Sequence, residues 1–146
     1  MSASGITVSP ERLDAFLRPR SLAIVGAGER PTSSGGAVLR NIDAARWPGR
    51  VIPVNPKGGV ILGRPAARSL REVSPPADLV AILVKPDSIL DVVREAIDTG
   101  HRQLLILPGG FTEAGESGRE RARQLDALAR EHDVLIGGPN CAGTIN

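Results

Sequence analysis

Short apolar runs that alternate with amphipathic helical segments are the feature that most restricts the fold of this chain. The runs at residues 21–25, 51–55, 79–84, 103–107 and 134–136 each end next to glycine, proline or a polar turn residue. Residues 79–84 are continuously apolar, which is typical of a parallel strand that is covered on both faces. Strands that alternate with helices predict an α/β fold: a Rossmann-like, doubly wound parallel sheet in three layers, α/β/α.

The segments between these runs predict four helices. The first covers residues 11–17 and the second residues 36–46. Asp87 is expected to cap the third helix, which Gly100 ends. Ser117 and Glu120 have the spacing of a capping box, which predicts that the fourth helix begins at Ser117. A further short strand is expected at residues 60–62.

Length and composition limit the class of protein. A chain of 146 residues fits one domain, residues 1–146, and we expect it to be the N-terminal part of a longer protein because it stops just after a glycine-rich loop. With one cysteine an internal disulfide is impossible, and the first 11 residues do not have the pattern of a signal peptide. No apolar run reaches the length of a membrane span. We therefore expect a cytoplasmic protein that does not contact a membrane.

Charge and aromatic content argue against nucleic acid as a partner. The net charge is only +2, and the aromatic residues are Phe16, Trp47 and Phe111, too few to provide platforms for stacked bases. The two histidines, His101 and His132, precede predicted strands, and we expect them to lie on the surface rather than in a catalytic site. No cluster of cysteine and histidine residues suggests a metal site.

The loop after the first strand, residues 26–36, has the composition of a phosphate-binding loop. In open α/β sheets ligands bind at the carboxyl ends of the strands, and glycines there let backbone N–H groups approach a diphosphate. Pro31 occupies the third glycine position of the dinucleotide fingerprint, so the spacing is not that of a standard NAD loop. The alternative is that the glycines serve only tight packing. The predicted ligand-binding residues of this loop are Gly26, Gly28, Ser33, Ser34, Gly35 and Gly36.

The chain has 18 basic residues but only two lysines, and both follow predicted strands on the same edge. An NAD-binding domain would place an acidic residue after the second strand, whereas this chain has Asn55, Pro56 and Lys57, and lysine suits a ribose phosphate. The end of the third long run has Val84, Lys85 and Pro86, where the proline offers a flat wall for an adenine ring. The alternatives are a solvated lysine and a proline that merely starts a helix.

Two further glycine-rich loops complete the predicted ligand edge. The fourth loop contributes Pro108, Gly109 and Gly110, and the fifth contributes Asn140 and Cys141. The alternative for Cys141 is a small buried residue with no role. No pairing of a nucleophile with a base is visible, so we predict no catalytic residue in this chain.

Five segments together resemble the CoA-binding domain of the nucleoside-diphosphate-forming acyl-CoA synthetases, the superfamily that includes the α subunit of succinyl-CoA synthetase. They are residues 21–28, 35–41, 54–57, 109–115 and 138–146. The segments Val-Asn-Pro-Lys and Gly-Pro-Asn-Cys are the most specific of them. Two departures from the family pattern occur, at Pro108-Gly109 and at Lys85-Pro86.

The resemblance implies a role for each loop. Residues 33–36 would bind the CoA diphosphate, Lys57 would meet the phosphorylated ribose, and residues 84–86 would flank the adenine. Residues 108–110 would line the path of the pantetheine arm, and Asn140 and Cys141 would lie near the thiol. In the family, a phosphorylated histidine and an ATP-grasp module that uses ATP and Mg²⁺ lie in other domains or subunits, so this chain alone is expected to form no thioester.

Two other functions are compatible with the sequence. The first is a CoA-sensing regulatory module, because similar domains are fused to protein acetyltransferases. The second is the NAD(P)-binding domain of a redox protein, against which the missing acidic residue after the second strand argues.

Overall fold

Five parallel strands form the central sheet of the computed structural model, which describes residues 8–142. In chain order the strands of the protein are β1 (Ser21–Val25), β2 (Arg50–Val54), β3 (Val60–Ile61), β4 (Arg64–Pro65), β5 (Leu79–Ile82), β6 (Gln103–Ile106) and β7 (Leu135–Gly137). The order across the central sheet is β2-β1-β5-β6-β7, and β3 and β4 form a separate small antiparallel hairpin. The chain therefore builds outward from β1 in both directions, which is the topology of a doubly wound sheet.

Four helices cover both faces of this sheet. They are α1 (Pro10–Leu17), α2 (Ser34–Ala44), α3 (Pro86–Asp98) and α4 (Gly115–Glu131). On one face Val80 and Leu104 join the buried side chains of α3 and α4 in the larger core cluster. On the other face Ile24 packs with Leu39 of α2, and Phe16 of α1 lies close to Gly137 of β7. The predicted three-layer α/β/α architecture is confirmed.

The strand ends are level with one another at the carboxyl edge of the sheet. Val25, the last residue of β1, pairs with Val54 on one side and with Ile82 on the other, and Ile82 pairs in turn with Ile106. Loops that leave these strands must therefore emerge side by side, because parallel strands with a common register end at the same edge.

Two helix starts differ from the sequence-based expectation. Helix α3 begins at Pro86 with Lys85 as its N-cap residue, so Asp87 lies inside the first turn and does not cap it. Proline fits this position because its fixed φ is already helical and its missing N–H would have no partner there. Helix α2 likewise begins at Ser34, two residues earlier than expected, because the side chain of Ser33 caps it.

The predicted capping box of α4 is wrong. The helix begins at Gly115, directly after a 3-10 turn at Thr112–Ala114, so Ser117 lies within the helix. The carboxylate of Glu120 accepts hydrogen bonds from Arg123 and Gln124 instead of bonding to a helix start. Local sequence pattern placed the helix start two residues late because the turn before it is held by contacts from distant residues, which are described below.

His101 is buried, contrary to the expectation that it lies on the surface. Its side chain is 1% exposed, and its Nδ1 lies 2.9 Å from Oγ1 of Thr99. Nε2 has no hydrogen-bond partner among residues 8–142. Gly100, with a φ of 85°, turns the chain sharply after α3 and so directs His101 inward, where burial lowers the pKa of its imidazole. His132 is exposed, as predicted.

We expect His101 to make the protein less stable as the pH falls. Because the pKa of the native imidazole is lowered, the unfolded chain binds the proton first as the pH falls through about 6.5, and unfolding becomes more favourable. Urea denaturation between pH 7.5 and 5.5 should show this loss in the wild type and a smaller loss in His101→Leu. His132→Leu serves as the control and should behave like the wild type. Equal pH dependence in all three proteins would contradict the expectation.

Within residues 8–142, no helix is both long and apolar enough to cross a membrane. The same part of the chain holds no group of three histidine, cysteine or acidic side chains that is arranged to bind a metal ion. Residues 143–146 of the fifth sequence segment lie outside the described residues.

Candidate functional site

Five loops leave the carboxyl edge of the sheet, one after each of its strands. We name them by their place in the chain: the first loop is residues 26–33, the second 55–59, the third 83–85, the fourth 107–114 and the fifth 138–142. Each of the predicted ligand-binding residues lies in one of these loops or in the first turn of the helix that follows. The five loops also contact one another in the same order as their strands.

Asn55 joins the first loop to the second. Its side-chain Nδ2 donates to the carbonyl of Ala27 over 2.7 Å, and its Oδ1 accepts from the backbone N–H of Lys57 over 2.9 Å. The two polar atoms of this side chain are therefore used to hold the loops. The Lys57 side chain is exposed and helps to line a cleft of about 470 Å³ between the two loops, together with Gly28 and Ser33.

The first turn of α2 packs directly on the backbone of the first loop. A Cβ atom on Gly35 would overlap the carbonyl of Gly26 and lie 2.8 Å from Cα of Ala27, and one on Gly36 would overlap the carbonyl of Gly28. Both glycines are buried, so their packing role is established by geometry. The hydroxyl of Ser33 accepts from Gly36 N over 3.1 Å.

The donors that remain in this turn suit an anion. The N–H groups of Ser34 and Gly35 belong to the first turn, where a helix offers no intrahelical acceptor. They lie at the positive end of the helix dipole and beside the cleft, an arrangement that suits a phosphate group.

The third loop touches the first at Gly26. This glycine has a φ of 92°, and its backbone lies so close to Leu83 that a Cβ atom would overlap the Leu83 carbonyl. On its other side the third loop leads into Pro86, the first residue of α3, whose ring lies only 2.6 Å from where a Cβ atom of Gly110 in the fourth loop would stand. Lys85 is exposed and Val84 is half-buried, so both can be reached from the carboxyl edge.

Two charged side chains hold the fourth loop in place. Glu113 accepts from the backbone N–H of Gly110 over 2.6 Å, and hydrogen bonds from the backbone of this turn keep the pKa of its carboxyl below the usual value. Arg121 of α4 donates to the carbonyl of Gly110 and pairs with Asp87 over 2.6 Å. Its guanidinium also lies 5.7 Å from the ring centroid of Phe111, which is buried.

The fifth loop is held against the fourth by its backbone. Asn140 N donates to the carbonyl of Pro108 over 2.9 Å, and Asn140 has a φ of 54°. Its side chain faces Gly109, where a Cβ atom would lie 3.6 Å from Oδ1. Cys141 follows and is half-buried. Pro108, Gly109 and Asn140 therefore form one continuous surface beside Cys141.

Sequence reasoning missed several residues that shape this edge. Glu113 and Arg121 fix the fourth loop, and three exposed cations, Arg30, Arg40 and Arg68, lie near the first two loops. Glu113 follows Gly110 by three residues, a spacing that could have suggested a capped turn. The contacts of Arg121 and Arg68 depend on tertiary structure, and no local pattern indicates them.

A comparison with models of known protein families identifies the family to which this chain belongs. The model of a family described as the CoA-binding domain matches residues 20–146. This chain belongs to that family. The match includes the whole central sheet and all five loops, so the predicted resemblance is confirmed.

Two curated relatives of this CoA-binding domain are, by name, a CoA synthase and a subunit of a CoA ligase. It is 33% identical to a trans-feruloyl-CoA synthase from an unidentified prokaryote, over 94% of this chain and 20% of that protein. It is 32% identical to the α subunit of ADP-forming acetate–CoA ligase II from Pyrococcus furiosus, over 92% of this chain and 29% of that subunit. The domain thus spans between a fifth and a third of the length of these relatives, and it is homologous to one part of them.

Solved structures give the same result for the fold. The CoA-binding domain superposes on the dinucleotide-forming acetyl-coenzyme A synthetase 1 of Candidatus Korarchaeum cryptofilum, solved with phosphate and ADP, with a TM-score of 0.84 and 27% identity. The match covers 90% of this chain and 28% of that one. A protein from Pyrococcus horikoshii matches with the same TM-score and 31% identity.

Proposed function

We propose that this domain binds CoA along the carboxyl edge of its sheet, with the nucleotide at the first three loops and the pantetheine arm along the fourth and fifth. The observation that carries the proposal is that the five loops, together with Pro86 at the start of α3, contact one another in series and make one continuous edge from residues that are far apart in the chain. The nucleotide end has a cleft that Ser33, the N-cap of α2, helps to line, and the other end has glycine, proline and asparagine residues that Glu113 holds in place.

In this arrangement each loop has a distinct task. Ser34 and Gly35 donate to the diphosphate through their backbone, and Lys57 pairs with the ribose phosphate. Pro86 and Val84 flank the adenine. Pro108 to Gly110 guide the pantetheine arm toward Asn140 and Cys141. Asn55, Ser33 and Gly36 keep the loops in position, as their hydrogen bonds and packing indicate.

We further propose that the domain serves an NDP-forming acyl-CoA synthetase, an acid–thiol ligase of the cytoplasm. The support is the set of CoA ligases among its relatives, of which this chain spans only a part. In such an assembly an ATP-grasp domain or subunit binds ATP, ADP and Mg²⁺ and activates the acid. This domain would hold CoA for that reaction. Both of its histidines precede strands, so they lie at the edge of the sheet opposite the proposed CoA site.

Isothermal titration of the chain with CoA and with NAD tests the binding proposal. We expect CoA to bind more tightly than NAD, because the second loop offers Lys57 where an NAD-binding domain offers an acidic residue to the ribose diol. Acetyl-CoA should bind comparably to CoA, since we place the thiol end beside Asn140 and Cys141, neither of which carries a formal side-chain charge as an amide or a thiol. Equal or tighter binding of NAD would overturn the proposal and favour the redox alternative.

Replacing Lys57 should weaken the binding of CoA selectively. A charge-assisted contact to a phosphate contributes about 1.5–3 kcal/mol, so Lys57→Ala should weaken CoA by roughly ten- to a hundredfold. Dephospho-CoA, which lacks the ribose phosphate, should bind the variant and the wild type almost equally. Arg46→Ala is the control, because Arg46 is also an exposed cation but follows the C-terminal end of α2, away from the five loops. Equal losses for both ligands would place Lys57 at another part of the ligand.

A further inference from the structure

The cationic side chains of this domain divide into two groups. Most of those in residues 8–142 pair with a carboxylate, as Arg12 does with Asp133 and Arg64 with Asp43, or donate to backbone carbonyls. The cationic side chains with no such partner among these residues are Arg30, Arg40, Arg46, Lys57, Arg68 and Lys85. All of these except Arg46 lie at the carboxyl edge of the sheet. The unpaired positive charge is therefore concentrated where we place the ligand.

Arg68 is held beside the second loop by its own backbone. Its neighbour Ala67 donates to the carbonyl of Pro53 and accepts from Asn55 N, each over 2.9 Å. The N–H of Arg68 donates to the carboxylate of Glu72 over 2.7 Å. The side chain then lies against the turn, because a Cβ atom on Gly58 would stand 3.1 Å from both Cγ and Nε of Arg68. The Arg68 side chain therefore lies against the turn that contains Lys57, the residue before Gly58.

Arg30 approaches the same cleft from the first loop. It lines the cleft together with Lys57 and Gly58, and its side chain is exposed. Its neighbour Glu29 also lines the cleft, but the carboxylate of Glu29 accepts from the backbone N–H of Leu62 over 2.9 Å and ties the first loop to the β3–β4 hairpin. Arg30 has no ion pair with Glu29 or with any other described residue.

We propose that Arg30 and Arg68, together with Lys57, form a three-cation site that recognises the phosphate monoester on the ligand's ribose and so determines specificity for CoA over its dephosphorylated form. A phosphate monoester carries a charge of nearly −2 at neutral pH and exposes three acceptor oxygens. Arginine donates in a planar fork that matches such a group, and lysine adds a point charge. One lysine neutralises about half of that charge, and the two arginines supply more than the remainder.

The diphosphate of the ligand has a different set of donors. The first turn of α2 offers uncharged N–H groups and follows Ser33, which lines the cleft from the first loop, whereas Lys57 and Gly58 line it from the second loop, against which Arg68 packs. We therefore assign the three cationic side chains to the phosphate monoester and the N–H groups of the first turn of α2 to the diphosphate. This inference rests on the proposed binding of CoA and extends it to residues that no sequence motif indicates.

Titration of Arg30→Gln and Arg68→Gln with CoA and with dephospho-CoA tests the site. Both side chains are exposed, so both variants should fold, which their urea denaturation will check. We expect each variant to bind CoA about tenfold more weakly and dephospho-CoA within about a factor of three of the wild type. The matched control is Arg46→Gln, which removes the same charge from an unpaired, exposed arginine far from the cleft and should change neither affinity.

The outcomes separate this inference from the proposed function. If the wild type binds CoA but both variants lose equal affinity for the two ligands, or lose none, the three-cation site is wrong and the proposed function stands. If Arg46→Gln weakens CoA as much as the other variants do, the effect is that of net charge, and the site is again wrong. If the wild type fails to bind CoA, the proposed function fails and the inference fails with it.

Discussion

Gly26→Ala is expected to destabilise the protein by about 3 kcal/mol or more. The residue has a φ of 92°, which costs an L-residue roughly 1–2 kcal/mol. In addition, the new Cβ atom would overlap the carbonyl of Leu83 and lie 2.8 Å from its carbon, and relieving such overpacking costs typically another 1–3 kcal/mol. The loops after β1 and β5 would be forced apart at the centre of the sheet.

The matched control for this variant is Gly59→Ala. Gly59 has a similar φ of 81°, but within residues 8–142 no atom beyond its chain neighbours lies within 4 Å of the position of its Cβ. It therefore carries the backbone strain without the collision, and we expect a loss of about 1 kcal/mol. Urea denaturation of both variants measures the difference directly. Equal losses at the two positions would mean that the close contact between the first and third loops is not needed for stability.

Gly118→Ala is the second substitution with a large expected effect. It should lower the stability of the protein, although helix propensity alone would raise it. Alanine in place of glycine inside a helix ordinarily stabilises by about 1 kcal/mol. Gly118 is buried in α4, however, and a Cβ atom there would overlap the carbonyl of Phe111 and lie 2.7 Å from its carbon. Overpacking costs typically about 1–3 kcal/mol, and the overlap here is severe, so after the gain in propensity we expect a net loss of about 2 kcal/mol, together with displacement of the fourth loop.

Ser117→Ala is the control, because Ser117 is an exposed neighbour in the same helix and its replacement should change stability by less than about 0.5 kcal/mol. Thermal or urea denaturation gives both values. A second readout is the affinity for CoA, which should fall in Gly118→Ala if the fourth loop contributes to binding. A Gly118→Ala variant that is more stable than the wild type would show that the turn before α4 can move at no cost.

The sequence was sufficient to predict the sheet and the edge at which the loops meet. The runs that became β1, β5 and β6 are apolar enough to be recognised as buried strands, and the alternation with helices specifies a parallel sheet. The glycines at positions 26, 35 and 36 were recognisable as unusual, although the packing of α2 on the first loop accounts for two of them.

What the sequence could not predict depends on contacts between distant residues. Arg121 reaches Gly110 and Asp87, which lie 11 and 34 residues away, and these contacts fix the turn that displaced the start of α4. Arg68 approaches the second loop because Ala67 pairs with the end of β2. His101 is buried because Gly100 turns the chain inward. No periodic or local sequence pattern indicates any of these arrangements.

Because the strand ends are level, the width of the sheet sets the length that a ligand must have to contact the loops at both of its sides. Neighbouring parallel strands lie about 4.8 Å apart, so the outermost strands, β2 and β7, bring the second and fifth loops roughly 19 Å apart. A compact mononucleotide can cover the first three loops but cannot extend from Lys57 to Cys141. Only an extended molecule with a long arm can touch both ends at once, and a ligand with a shortened arm would leave the fifth loop uncovered.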